Sequence, residues 1–120
     1  LEWVKSGVHE KTLQVNNGKA PIHFVEEGVL LISPVIFKIF CEEHGLHGEN
    51  DYNKLQKRLN RMNKHIKGKL TNKNILNYIG KTAGGREIKL NGMLLPYNQI
   101  FAPDAERPEI NRFLSASEKN

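Results

Sequence analysis

The sequence has little cysteine and no long apolar run, and both features narrow the class of protein. Cys41 is the only cysteine among the 120 residues, so no disulfide can form within the chain and a reducing, cytoplasmic setting is expected. The longest strongly apolar run, Val29 to Ile32, is far below the ~20 residues that cross a bilayer. No signal-peptide pattern is visible. We therefore expect a protein without disulfides and without membrane contact.

Acidic residues are missing from one stretch of the chain. Eighteen Lys and Arg against thirteen Asp and Glu give a net charge of +5, but no acidic residue falls between Tyr52 and Arg86. That window holds the residues Lys54, Lys57, Arg58, Arg61, Lys64, Lys67, Lys69, Lys73, Lys81 and Arg86. A local basic excess of this kind is typical of a surface that binds nucleic acid.

Part of this basic stretch has the spacing of an amphipathic helix. Apolar residues recur at intervals of three and four, which predicts one buried stripe formed by Tyr52, Leu55, Leu59, Met62 and Ile66. The opposite side carries Lys54, Lys57, Arg58, Arg61, Lys64 and His65, and one flank carries Asn53, Gln56, Asn60 and Asn63. We predict a helix that is capped by Asn50 or Asp51 and ends at Gly68.

The remaining sequence predicts two helices, a brief strand and two hairpins, which complete a single small domain. A short helix should end between His9 and Thr12, followed by a brief strand at 13–16. Two apolar runs, 22–25 and 28–32, predict a hairpin, and Ser33-Pro34 predicts the cap and first turn of a buried helix that ends near His44. A second hairpin, 75–79 and 88–95, has a glycine-containing tip with Lys81 and Arg86 on its rim.

This order of elements is that of a winged helix, an α+β fold with a helix-turn-helix, a small sheet and a hairpin wing. The recognition helix would be residues 51–67 and the wing residues 80–89. We predict a winged-helix domain over residues 1–102 and a partly flexible C-terminal tail over residues 103–120.

The predicted DNA-binding residues are Lys54, Lys57, Arg58, Arg61 and Lys64, with Lys81 and Arg86 of the wing. In a major groove, Arg58 and Arg61 could reach guanine edges, and Asn53, Gln56 or Asn60 could reach adenine edges. The alternative is a solvated helix side and an ordinary exposed hairpin end, whose charges serve solubility.

The sequence predicts no catalytic residue, no metal and no cofactor. The spacing of Cys41, His44 and His47 lacks the second ligand pair of a zinc module. His23 lies in a predicted hairpin with no relay partner near it in sequence, so it is interpreted as structural. Three tyrosines are candidate nucleophiles: Tyr52, Tyr78 and Tyr97. Tyr52 belongs to the predicted apolar stripe and Tyr78 to a predicted strand, so these two are interpreted as core or interface residues.

One stretch resembles a known family: Ala20-Pro21-Ile22-His23-Phe24-Val25-Glu26-Glu27-Gly28-Val29-Leu30-Leu31-Ile32-Ser33-Pro34-Val35-Ile36-Phe37. It is similar to the C-terminal domain of the conjugal-transfer nickase/helicase family, the TraI-type (MobH) relaxases of bacterial integrative and conjugative elements. The resemblance spans about residues 1 to 101. It includes Asn74–Tyr78, where the family often carries Trp at the position of Leu76, so no aromatic stack on a base is expected there.

The resemblance implies a winged-helix module at the end of a large protein, with any nicking chemistry in a separate upstream domain. Since Leu1 stands where a helix is already under way, a fragment of a longer protein is expected. The first hypothesis is therefore an accessory DNA-binding domain that acts in DNA transfer and binds duplex DNA. The alternative is a protein-interaction module that docks the relaxase onto other transfer components through an exposed apolar patch. A free-standing transcription regulator is disfavoured by the family likeness.

Overall fold

A computed structural model describes residues 1–82 and 84–120 of the chain and shows a mixed domain of three helices and one five-stranded antiparallel sheet. The elements in chain order are α1 (Glu2–His9), β1 (Ile22–Val25), β2 (Gly28–Ile32), α2 (Val35–Glu43), α3 (Asp51–Met62), β3 (Leu76–Lys81), β4 (Glu87–Leu95), a short 3-10 helix (Tyr97–Gln99) and β5 (Leu114–Ala116). Within the described residues, no helix is long and apolar enough to cross a membrane.

Both predicted hairpins form, and they join in a single sheet of order β1-β2-β4-β3-β5. The connection between them is the β2–β4 pair, in which Leu31 lies opposite Met93. β5 returns from the C-terminal segment and pairs with β3, where Ile79 lies opposite Ser115. The predicted α+β character is therefore confirmed at the level of a helix pair, two hairpins and an antiparallel sheet.

Side chains alternate between two apolar cores, one on each face of the sheet. In β2, Val29 and Leu31 contact the helices, whereas Leu30 and Ile32 point to the opposite core. The helix-side core is formed by Val4, Leu13, Ile22, Phe24, Val29, Leu31, Ile36, Phe37, Met93, Leu95, Tyr97 and Ile100. The opposite core is formed by Val25, Leu30, Ile32, Leu76, Tyr78, Leu94 and Leu114. The unbroken apolar run of β2 is thus covered on both faces, as predicted.

Two local predictions were wrong. Ser33 does not cap α2, because the helix begins at Val35 and the Ser33 hydroxyl donates instead to Gln56 Oε1, at 2.8 Å. The predicted strand at 13–16 is reduced to a single bridge between Val15 and Ile22.

The segment beyond residue 102 is tied to the domain at three places. The Asn111 amide donates to the Phe24 carbonyl at 2.7 Å, β5 pairs with β3, and the Asn120 side chain donates to the Asn77 carbonyl at 2.9 Å. The boundary between a domain at 1–102 and a partly flexible tail at 103–120 stays a prediction.

A close approach of strands at Gly92 gives a stability test. A Cβ atom on Gly92 would collide with the Leu31 carbonyl oxygen of the neighbouring strand. We expect Gly92→Ala to lower the free energy of unfolding by about 1–3 kcal/mol, because the strands must separate to admit the methyl group. Urea denaturation followed by circular dichroism measures the change.

Gly18→Ala is the matched control. Apart from Gly18 and its two chain neighbours, no atom of the described residues lies within 4 Å of the position of that Cβ. The unfolding free energy of this variant should therefore change by about 0.5 kcal/mol or less. Equal effects of the two substitutions would contradict the packing at Gly92.

Candidate nucleic-acid interface

α3 presents a cationic surface because its apolar side is held by the helix-side core. Tyr52, Leu55 and Leu59 are half-buried and pack against that core. The exposed cations of the helix are Lys54, Lys57, Arg58 and Arg61. At 100° per residue these four side chains fall within about 100° of the helix surface. No residue of α3 is fully buried, so the helix lies on the outside of the domain with its basic side in water.

Polar contacts at two places position α3. Gln56 accepts the hydrogen bond from Ser33, which ties the middle of α3 to the segment that enters α2. Asp51 Oδ2 accepts from the Gly48 amide at 2.8 Å, so the carboxylate lies in the first turn of α3, where negative charge complements the helix dipole. Neither predicted cap forms, since Asn50 precedes the helix without a side-chain capping bond.

The predicted helix over 51–67 is too long. α3 ends at Met62, because Asn63 adopts a left-handed conformation with φ of 54° and its amide donates to the Asn60 carbonyl. Asparagine tolerates this conformation and is a recognised helix terminator. Lys64 is exposed, but it lies beyond the end of the helix.

Two residues that the helical spacing placed on α3 therefore serve other roles. His65, predicted among the outward cations, is buried, and its Nε2 lies 2.7 Å from Asn74 Oδ1. Ile66, predicted in the apolar stripe, donates its amide to the Leu94 carbonyl at 2.7 Å and packs against the opposite core.

The predicted wing is the turn between β3 and β4 with its flanking residues. Lys81 ends β3, Arg86 precedes β4, and both are exposed. The Thr82 amide donates to the Arg86 carbonyl at 2.8 Å, which closes the base of the turn. Ala83, at the predicted tip, lies outside the described residues. Because β4 also pairs with β2 and β3 also pairs with β5, the hairpin is an integral part of the sheet.

An apolar groove lies between the three helices beside the cationic side of α3. It has a volume of about 150 Å³ and is lined mainly by Trp3, Phe37, Phe40, Leu55, Leu59 and Met62, with Arg58 at its rim. Trp3 packs edge-on against Phe40 and donates its indole N–H to Glu43 at 2.7 Å. Met62 is 43% exposed. The groove is the kind of apolar patch that the protein-docking hypothesis requires.

Comparison with protein families identifies the family of this chain. The family model described as "Putative conjugal transfer nickase/helicase TraI C-term" matches residues 1–116. The chain belongs to this TraI C-terminal family. The resemblance seen in the sequence is thus confirmed over a longer range than residues 1–101, and it associates the domain with conjugal transfer.

A solved structure shows the same fold. The crystal structure of the C-terminal domain of the Salmonella enterica protein STY4665 matches with a TM-score of 0.78 and 23% sequence identity, over 97% of this chain and 91% of that chain. At this identity the likeness concerns the fold alone. No curated protein matches the chain.

In this TraI C-terminal domain, the two buried tyrosines have structural contacts. The Tyr78 hydroxyl donates to Glu27 Oε1 at 2.6 Å, and burial together with that carboxylate raises the Tyr78 pKa well above its usual value. The Tyr97 hydroxyl donates to the Val25 carbonyl, and burial raises the Tyr97 pKa. A phenol with a raised pKa is a poor source of the phenolate that a nucleophile needs. The contact of Tyr78 supports its interpretation as a core residue, and Tyr97 is buried in the core as well.

His23 is also held in the interior. It is 1% exposed, and its Nδ1 lies 3.1 Å from the side-chain nitrogen Nδ2 of Asn111. Burial lowers the His23 pKa, partly opposed by a backbone hydrogen bond at Ala20. Within the described residues, no three His, Cys, Asp or Glu side chains gather in a way that could hold a metal ion.

The lowered pKa of His23 predicts acid sensitivity of the fold. The unfolded chain takes up a proton near pH 6.5, the usual value for histidine, whereas the folded chain does so only at lower pH. His23 therefore causes no loss in the free energy of unfolding above pH 6.5. As the pH falls from there towards the folded-state pKa, this free energy decreases by up to about 1.4 kcal/mol per pH unit. Urea midpoints at about pH 5 and about pH 7.5 measure this loss, and His23→Gln should reduce it.

His47→Gln removes an exposed histidine and is the control. Its stability should follow the pH in the same way as the wild type. An unchanged pH dependence in His23→Gln would contradict the assignment.

Proposed function

We propose that this domain is an accessory DNA-binding domain of a conjugative relaxase and that it binds duplex DNA through α3. The observation that carries the proposal is the set of four exposed cations on one side of α3, on a helix whose other side is packed on the core. Each phosphate that these cations neutralise releases condensed counterions, which favours binding at low salt. Asp51 is the only acidic residue in the sequence of α3, and no other follows it before Glu87.

The proposal interprets the fold as a winged helix. α2 and α3 form the helix pair, α3 enters the major groove, and the β3–β4 turn contacts the backbone with Lys81 and Arg86. Arg58 and Arg61 would reach guanine edges. Three amides are proposed for contact with adenine: Asn53, Gln56 and Asn60. Asn53 is the best suited, because it is exposed, whereas Gln56 is engaged with Ser33 and Asn60 Oδ1 is buried. Lys64, beyond the helix end, would add a phosphate contact.

The proposal treats the domain as non-catalytic. Any nicking of DNA would belong to a separate upstream domain of the full-length protein, and this module would help to hold that domain on its DNA. Other conjugation proteins are proposed as further partners, with the apolar groove between the helices as their contact surface.

The test is a fluorescence-anisotropy titration of a labelled DNA duplex at two salt concentrations, about 50 mM and about 200 mM. Wild-type affinity should fall steeply with salt. The double variant Arg58→Ala/Arg61→Ala should bind about tenfold or more weakly. Its salt slope should be smaller by about one for each of the two arginines that contacts a phosphate instead of a base.

Lys5→Ala/Lys19→Ala is the matched control, because it removes the same charge from exposed positions outside α3. Its binding should stay close to that of the wild type. Binding that is indifferent to salt and to the α3 substitutions would contradict the proposal and favour the docking module. Equal losses in both double variants would show a response to net charge alone and would also contradict it.

A further inference from the structure

The helix-side face of the sheet is open to water at the end formed by β3 and β5. In β4, Met93 and Leu95 face the helices and are buried. Lys89 and Asn91 lie on the same face by the alternation of the strand, yet both are exposed. The helices therefore cover the sheet over β1, β2 and the end of β4 and leave the rest of this face uncovered.

Two large apolar side chains lie on the uncovered face. Ile79 is 40% exposed and lies opposite Lys89 in β4 and opposite Ser115 in β5. Phe113 is 62% exposed and directly precedes β5, where its carbonyl accepts from the Lys81 amide at 3.3 Å. The neighbouring Leu114 packs into the opposite core, which directs Phe113 to the open side.

These residues line a shallow depression formed by Ile79, Gly80, Lys81, Glu87, Phe113 and Ser115. Its charge is predominantly positive. Lys81 and Lys89 lie in the strands, Arg86 and Arg112 adjoin Glu87 and Phe113 in sequence, and all four are exposed. Glu87, opposite Lys81, is the only acidic residue in the sequences of β3, β4 and β5.

We propose that this open face binds single-stranded nucleic acid, with Phe113 stacked on a base and Lys89 and Lys81 against the phosphates. An aromatic ring can stack on a base only where the face of the base is free, which favours an unpaired strand over a duplex. Cations on the neighbouring strands match the charge of the sugar-phosphate backbone. This site is separate from α3. It shares Lys81 with the wing contact proposed above, so its test uses Phe113 and Lys89, which the duplex proposal does not use.

The test is an anisotropy titration of a labelled oligothymidylate of about 12 nucleotides, a length within the range of single-strand sites. Phe113→Ala should weaken binding about tenfold, since stacking on an aromatic side chain stabilises each base substantially. Phe113→Leu should lose as much, because leucine is apolar but does not stack, and Phe113→Trp should retain the wild-type affinity. Lys89→Ala should reduce the salt slope by about 0.7, the value for one phosphate contact on a single strand.

Controls separate this site from α3. Phe113 is mostly exposed, so thermal unfolding of the Phe113 variants should match that of the wild type. The α3 variant Arg58→Ala/Arg61→Ala should retain oligothymidylate binding, and Phe113→Ala should retain duplex binding. A wild-type protein that fails to bind oligothymidylate, or a Phe113→Leu variant that binds as well as the wild type, would overturn the proposal. Loss of duplex binding in Phe113→Ala would overturn the separation of the two sites.

Discussion

The β2–β4 pair has apolar side chains on both faces, and the rest of the fold depends on keeping both faces away from water. Leu30 and Leu31, adjacent in β2, are each 0% exposed although they point in opposite directions. Burial of one such side chain contributes about 1.5–3 kcal/mol, so neither face can be left open without a large cost. The helices cover one side, while Tyr78, Leu114 and the segment that contains Ile66 cover the other.

The role of α3 follows from this constraint. A helix that covers a core from the outside needs apolar residues along one side only, and here Tyr52, Leu55 and Leu59 supply them. The remaining side is free of any packing requirement and can carry any polar residue. This side of α3 carries four cations, and the helix has no carboxylate beyond Asp51. Packing does not require these charges, and the proposal of DNA binding is based on them.

The parts of the fold that the sequence predicted are those with strong local signals. Both hairpins and all three helices were found from apolar runs and spacing, because these patterns reflect burial directly. The errors lie where a single residue forms a contact or adopts a backbone conformation that the apolar pattern does not indicate. Ser33 could have capped α2 and instead bonds Gln56 across 23 residues. Asn63 could have continued α3 and instead ends it in a left-handed conformation, although asparagine there was itself a terminator signal.

The two candidate sites, the cationic side of α3 and the open sheet face, also differ in how far the sequence predicted them. The cations of α3 were predicted because they lie within one helix, so their spacing alone places them on one side. The open sheet face was missed because its members come from three strands. Phe113 is brought to this face by the pairing of β5 with β3, which no local pattern of the sequence indicates. One signal was present in the sequence: if Tyr78 of β3 is buried, its neighbour Ile79 must face the other way.

The uncovered part of the sheet also has a physical explanation. The three helices pack over β1, β2 and the end of β4, so the same face of β3 and β5 is left uncovered. Strands at one end must then meet water on that face, and folding alone favours polar residues there, as at Asn77, Lys89 and Asn91. Phe113 and Ile79 depart from this rule at adjoining positions. Their exposed surfaces add little to either core, so packing does not require apolar side chains at these positions. The proposal of a single-stranded ligand on this basic face is based on them.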